Sequence, residues 1–254
     1  KLRDSVADHP EIYDIDFIPN EFFRPMDNCT MVGFRNQIKQ AREDGFFIPV
    51  ERTIFMTGMA EDEWWVNMSR VSGVDATDPD QYTYGEDLAI RLNKEIASYM
   101  KAYIPGFENA YMDRVAPFMG IRETRRLVGE YVLTEQDIFD CAKFDDVIAV
   151  SAYPVDQHHP VGGDCTLMWC PDCHDIPYRS LLPKKIDSLL VAGRCLSATH
   201  LALASVRVMG PAMATGEAAG KAAALSLKQG VQPRNIDVAA LQEALREEGV
   251  YFRD

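Results

Sequence analysis

The sequence has no apolar run long enough to cross a bilayer, no glycine-rich G-x-G-x-x-G turn, no internal repeat and no low-complexity tract. The first absence argues against a membrane-embedded protein. The second leaves the chain without the strand–turn–helix unit that cradles a dinucleotide pyrophosphate. Positive charge is also short, because 26 Lys and Arg stand against 39 Asp and Glu for a formal charge of −13. Nucleic acid and anionic membrane surfaces are repelled at long range by such a chain, although a local basic cluster such as Arg122, Arg125 and Arg126 can still attract an anion. Six cysteines in 254 residues are too few for a disulfide scaffold.

What is present is apolar material. At 47% hydrophobic and 10% aromatic, the chain can bury one large core or two modest ones, and disorder is not expected. The run from Phe46 to Met68, rich in aromatic and β-branched residues and broken by Pro49 and Gly58, reads as antiparallel strands. A helix should follow, with Thr83 and Glu86 as a capping-box pair, Leu88, Leu92, Ile96, Tyr99 and Tyr103 on one face, and Pro105-Gly106 as the stop. RRLVGEYVL then reads as a strand, TEQDIFDCAKF as a short helix capped by Thr134, and VIAVSAYPV as another strand. Near the end, Leu189 to Ala192 reads as a buried strand breaking at Gly193. Gly210-Pro211 opens an alanine-rich helix closing at Gly230, and Asp237 caps a last helix ended by Gly249. The amides at the start of the alanine-rich helix welcome negative charge, and Ala212, Ala214, Gly216, Ala219, Gly220 and Ala223 keep its surface low; a buried helix without a ligand fits the same pattern.

The segment from Leu189 to Leu227 resembles the C-terminal flavin-contacting segment of FAD-dependent oxidoreductases of the glutathione-reductase-like superfamily, in particular a large bacterial family. Further landmarks similar to that family occur in its order: SGVDATDPDQYT at Ser72 to Thr83, PGFENAY at Pro105 to Tyr111, GIRETRRLVGEYVLTEQD at Gly120 to Asp137, YPVDQHHP at Tyr153 to Pro160 and IPYRSLLPK at Ile176 to Lys184. The resemblance implies a mixed α+β and α/β architecture. Residues 1–175 would form a substrate-domain-like region with a mixed sheet, and residues 176–254 the last strand and helix of a Rossmann-like FAD-binding domain with a terminal helix. Because the family carries its dinucleotide fingerprint N-terminally and this chain begins at Lys1 without one, the chain is expected to be a C-terminal portion, poor at holding FAD and inactive alone.

Cofactor-binding candidates implied by the resemblance are Gly193 and Arg194, near the ribityl and phosphate linkage, with His200 on the flavin face. The backbone amides of Gly210, Ala212 and Met213 would stabilise charge on the reduced ring. Arg194 also fits a surface salt bridge. On the substrate side, Asp156, His158 and His159 lie in DQHHP just after a strand, with His158 the first candidate for proton transfer or substrate orientation and His159 the second; Arg179 and Arg207 are further catalytic candidates on the flavin face, Arg207 because it immediately precedes the helix start, and each has a plain packing or ion-pair alternative. Trp64 and Trp65 read as core or interface rather than a substrate cage.

A departure from the family is DCTLMWCPDCHD, which places Cys165, Cys170, Cys173 and His174 within ten residues. That set offers ligands for a tetrahedral metal, and Cys170 to His174 spells the haem-attachment pattern C-x-x-C-H; free thiols or one local disulfide are the plain reading. Three functional classes follow. The chain is the substrate-binding and flavin-capping portion of an enzyme moving hydride between a small organic substrate and FAD, an interaction fragment completed by a separate dinucleotide-binding chain, or a metal or haem protein.

Overall fold

The computed structural model describes residues 2–15, 30–60, 62–159 and 165–253. The chain forms two compact units, Lys1–Gly120 with His159–Asp164, and Ile121–His158 with Cys165–Asp254. The boundary expected after residue 175 falls inside a strand of the second unit.

The first unit holds α1 (Leu2–Asp8), α2 (Pro10–Tyr13), β1 (Thr30–Gly33), α3 (Arg35–Glu43), β2 (Thr53–Thr57), β3 (Trp64–Val66) and α4 (Pro79–Tyr103). The three strands make one antiparallel sheet in the order β1-β2-β3, so the antiparallel reading of this stretch holds. Alternation along β2 points Thr53 and Phe55 inward. Phe55 meets Phe34, Trp64 and Phe107 in edge or stacked contacts, and the buried Tyr99 hydroxyl of α4 lies 2.9 Å from Thr53 Oγ1. Burial pushes the Tyr99 phenol well above its ordinary range. Gly33 ends β1 at φ +148°, where a Cβ would stand 2.2 Å from the Asp14 carbonyl oxygen, so no side chain fits.

Helix α4 starts earlier than Thr83. Asp78 caps it by accepting from the Asp80 and Gln81 amides, Pro79 fills the first position, and Thr83 sits inside with its hydroxyl donating to the Pro79 carbonyl. Ile104 turns extended ahead of Pro105 and ends it, as the sequence implies.

The second unit holds α5 (Glu135–Phe139), β4 (Val147–Ser151), β5 (Val155–His158), β6 (Cys165–Met168), β7 (His174–Pro177), α6 (His200–Val206), α7 (Met209–Gln229) and α8 (Val238–Glu247). β4 pairs antiparallel with β7, and β5 with β6. α7 packs on β4 and carries α8 on its flank, closing a core of Ile148, Ile176, Leu181, Leu203, Ala218, Ala222 and Leu241. The helix ends follow local chemistry. Thr134 and Asp137 form a reciprocal capping box on α5, Asp237 accepts from the Ala239 and Ala240 amides of α8, and Gly230 closes α7 in the left-handed region.

Three expected strands differ. RRLVGEYVL makes no ladder, because its backbone is shared between two segments: Glu130 N–H donates to Leu182 and Lys184 N–H to Val128, while Leu127 and Leu133 donate to Cys195 and Ser197. VIAVSAYPV breaks after Ser151 and resumes as β5. Leu189 to Ala192 is irregular, held by a bond from Val191 N–H to the Leu181 carbonyl, and every sheet among the described residues is antiparallel. The fold is a mixed α+β arrangement.

Candidate functional site

Two features of the second unit stand out. The first is the start of α7. Val208 occupies the N-cap without a capping side chain, and the first intrahelical bond runs from Ala212 N–H to the Val208 carbonyl at 3.0 Å. The amides that precede this bond are those of Met209 and Gly210, Pro211 having none. Ala212 is therefore corrected as a donor, since its N–H is already consumed, and Met213 lies deeper in the helix still. Met209 and Met213 are nevertheless 82% and 73% exposed, so these two side chains at the helix start are not buried against the rest of the fold. Beyond α7's own nearby backbone and the adjoining residues, no atom of the described residues lies within 4 Å of where a Cβ on Gly210, Gly216 or Gly220 would be, so the helix surface is low there.

The Gly193–Arg194 turn is tied to this mouth. Gly193, at φ +67°, donates its N–H to Thr215 Oγ1 at 3.1 Å, and that hydroxyl donates to the Pro211 carbonyl at 2.8 Å. A Cβ on Gly193 would stand 3.8 Å from the Ala212 Cβ. Arg194 is exposed and has no ion-pair partner among the described residues.

The second feature is the β5–β6 hairpin. Asp156 and His158 share a face of β5, and the register sets Cys165 opposite His158. His158 Nε2 lies 3.1 and 3.2 Å from the two Asp156 oxygens. Arg207, on the C-terminal edge of α6, donates through one nitrogen to the Asp156 carbonyl at 3.1 Å and to its carboxylate at 3.2 Å, while Arg122 reaches the same carboxylate at 3.5 Å. Burial opposes ionisation of Asp156, but the His158 hydrogen bond and charge, with Arg207 and Arg122, outweigh it and hold the carboxyl below its ordinary range. Burial, with the Asp156 charge behind it, pushes the nearby Tyr153 phenol up.

The other expected residues go elsewhere. Arg179 grips Asp146 through two nitrogens at 2.9 and 3.1 Å and lies over the Tyr131 ring, so its fork is spent on the fold. His200 begins α6 with Nδ1 2.5 Å from Glu123, which also pairs with Arg126. His159 groups with the first unit.

The four proposed metal ligands do not converge. Cys170 and Cys173 lie past the end of β6, and His174 is buried in β7 with Nε2 3.4 Å from Ser205 Oγ. Ser205 in turn donates to the Tyr153 carbonyl, and His174 Nδ1 has no partner among the described residues. Burial and the nearby Arg253 push the His174 pKa down to about 4 against the pull of Asp175, so it is neutral at pH 7. Cys141, Cys165, Cys170, Cys173 and Cys195 are free thiols, and Cys29 lies outside the described residues. A different set, Asp156, His158 and Cys165, does bring its ligand atoms within 4.8 Å of one another. Two guanidiniums on the same carboxylate set that hairpin against a divalent cation.

Sequence reasoning missed the hub role of Asp156, which joins residues from three distant segments, and the pairing of Asp175 with Arg253 at 2.8 Å, both nearly fully buried. DQHHP draws attention to Asp156 as a residue just after a strand, but not to its arginine partners, and nothing in HDIP points to Arg253. A family model for FAD-dependent oxidoreductase matches residues 13–245. Searches of curated proteins and of solved structures find no match. With the match spanning both units and containing the open mouth of α7 and the Asp156 hairpin, the chain belongs to the FAD-dependent oxidoreductase family.

Proposed function

We propose that this chain is the substrate-binding and flavin-capping portion of an oxidoreductase that moves hydride between a small organic substrate and FAD. The observation that carries the reading is the uncapped, exposed start of a 21-residue helix with a glycine–arginine turn hydrogen-bonded to it. FAD, when bound, supplies the hydride chemistry. The Met209 and Gly210 amides would face the part of the ring that gains negative charge, and Arg194 would pair with a phosphate oxygen. His158, held at Nε2 by Asp156, would exchange a proton with substrate, and Arg207 would fix the polar end of that substrate. Cradling the pyrophosphate is assigned to a dinucleotide-binding segment outside these 254 residues, because no glycine-rich turn joins strand to helix within them.

The test is flavin titration of the chain alone and of the chain co-expressed with a dinucleotide-binding segment of its family. The expected result is weak or no binding alone, a perturbed flavin absorbance spectrum in the assembled protein, and about tenfold weaker binding for Arg194→Ala. An assembled protein that folds and stays colourless refutes the reading.

A further inference from the structure

We infer that the Arg122–Arg207–His158 cluster around Asp156 is a recognition site for a carboxylate group, so that the substrate is an organic acid; the identification as substrate rests on the oxidoreductase reading above, the binding site itself does not. The argument starts from charge. Arg122, Arg207 and Asp156 leave one guanidinium charge unmatched, and His158 adds another when protonated. Among the described residues the other ionisable neighbours, Cys165, Tyr153 and Glu123, supply no further carboxylate paired with either arginine. Tyr153 places its hydroxyl 3.5 Å from the Asp156 carboxylate, and Glu123, which faces Arg207 at longer range, is already engaged by Arg126 at 2.9 Å and His200 at 2.5 Å.

Geometry makes the surplus usable. Asp156 and Arg207 have side chains only 11% and 12% exposed, whereas Arg122 is 44% exposed and touches Asp156 through a single long contact. Arg207 spends one nitrogen on Asp156. Its ion pair anchors the floor, and Arg122, exposed and held by that one contact, has a guanidinium whose planar fork matches the two coplanar oxygens of a carboxylate. A recessed positive floor keeps more of its Coulomb attraction than an exposed lysine patch does, because less water screens it. Asp156 acts as a positioning residue, preventing the two guanidiniums from repelling each other apart while leaving the site net positive.

The experiment is calorimetric titration of the full chain at low ionic strength with succinate and with succinamide, its neutral counterpart. Wild type is expected to bind succinate and not succinamide. Arg122→Gln should weaken succinate binding by about tenfold or more. Arg91→Gln, which removes an exposed α4 arginine paired with Asp87, should leave it unchanged. Arg122 is exposed enough that its variant should fold, and circular dichroism checks that. Equal binding of acid and amide, no binding of succinate, or an Arg122→Gln affinity like wild type overturns the proposal. So does stoichiometric Zn²⁺ uptake that Cys165→Ser abolishes, since the hairpin would then be a cation site. No flavin enters this measurement, so succinate binding with failed FAD binding removes only the oxidoreductase reading.

Discussion

The two units are held together by different materials. The first is a cluster of rings: Tyr13, Phe34, Phe55, Trp64 and Phe107 meet in sequence, and Thr53 is its one buried polar side chain among the described residues. The second has an aliphatic and alanine core into which nine of the ten buried polar or charged side chains are set, among them Asp156, His174 and Asp175. The second unit thus trades hydrophobic area for dipoles and charges held by hydrogen bonds and ion pairs, with His174 Nδ1 the exception that has no partner among the described residues. Chemistry needs those, and the candidate site lies there.

The sharpest test of the contrast pairs Phe55→Ala with Arg253→Ala, each expected to cost its own unit about 3–5 kcal/mol. The causes differ. Phe55 leaves a void, whereas Arg253 leaves the Asp175 carboxylate buried and takes its donors from the Cys141 and Cys173 carbonyls, the Ala142 carbonyl keeping the Asp175 N–H. The double variant Arg253→Leu with Asp175→Leu should therefore recover most of the loss, while no second change rescues Phe55→Ala. Hydrogen exchange, followed separately in α4 and in β7, reads the two units apart. Failure of the double variant to recover would mean that the lost backbone partners, the carbonyls bound by Arg253 and the Phe144 amide bound by Asp175, outweigh the stranded charge.

Acid should separate the units next. Folded His174 titrates near 4 and its unfolded counterpart near 6.5, so between those values the unfolded chain takes up a proton that the folded one refuses. Stability of the second unit is full above about pH 6.5 and falls as pH drops toward 4, by on the order of 3 kcal/mol. His174→Gln should flatten that slope in denaturant midpoints measured against pH; an unchanged slope would assign it to other groups. The smallest effect is expected for Thr134→Ala, which removes half of the α5 capping box and should cost about 1 kcal/mol.

What was legible in the sequence was local. Thr134, Asp237 and Gly230 act within a few residues of themselves, so spacing alone locates α5, α8 and the end of α7. Non-local pairing was not legible. The apolar alternation of RRLVGEYVL is the same whether one strand or two separate segments accept its bonds, and it is the latter. Closeness along the chain misled for the cysteines, because the hairpin register puts Cys165 beside His158 and carries Cys170 and Cys173 beyond it. Arg207 and His158, each singled out on its own grounds, meet on Asp156, a convergence that three segments distant in sequence create together.

Val208 is an apolar residue where Ser, Thr or Asp would fasten the helix to itself and contribute about 1 kcal/mol. Replacing it with Asp should stabilise the helix and, if these amides hold an anion as proposed, compete with that anion for them. On the proposed reading, the uncapped end forgoes that stability and leaves the amides for a bound anion.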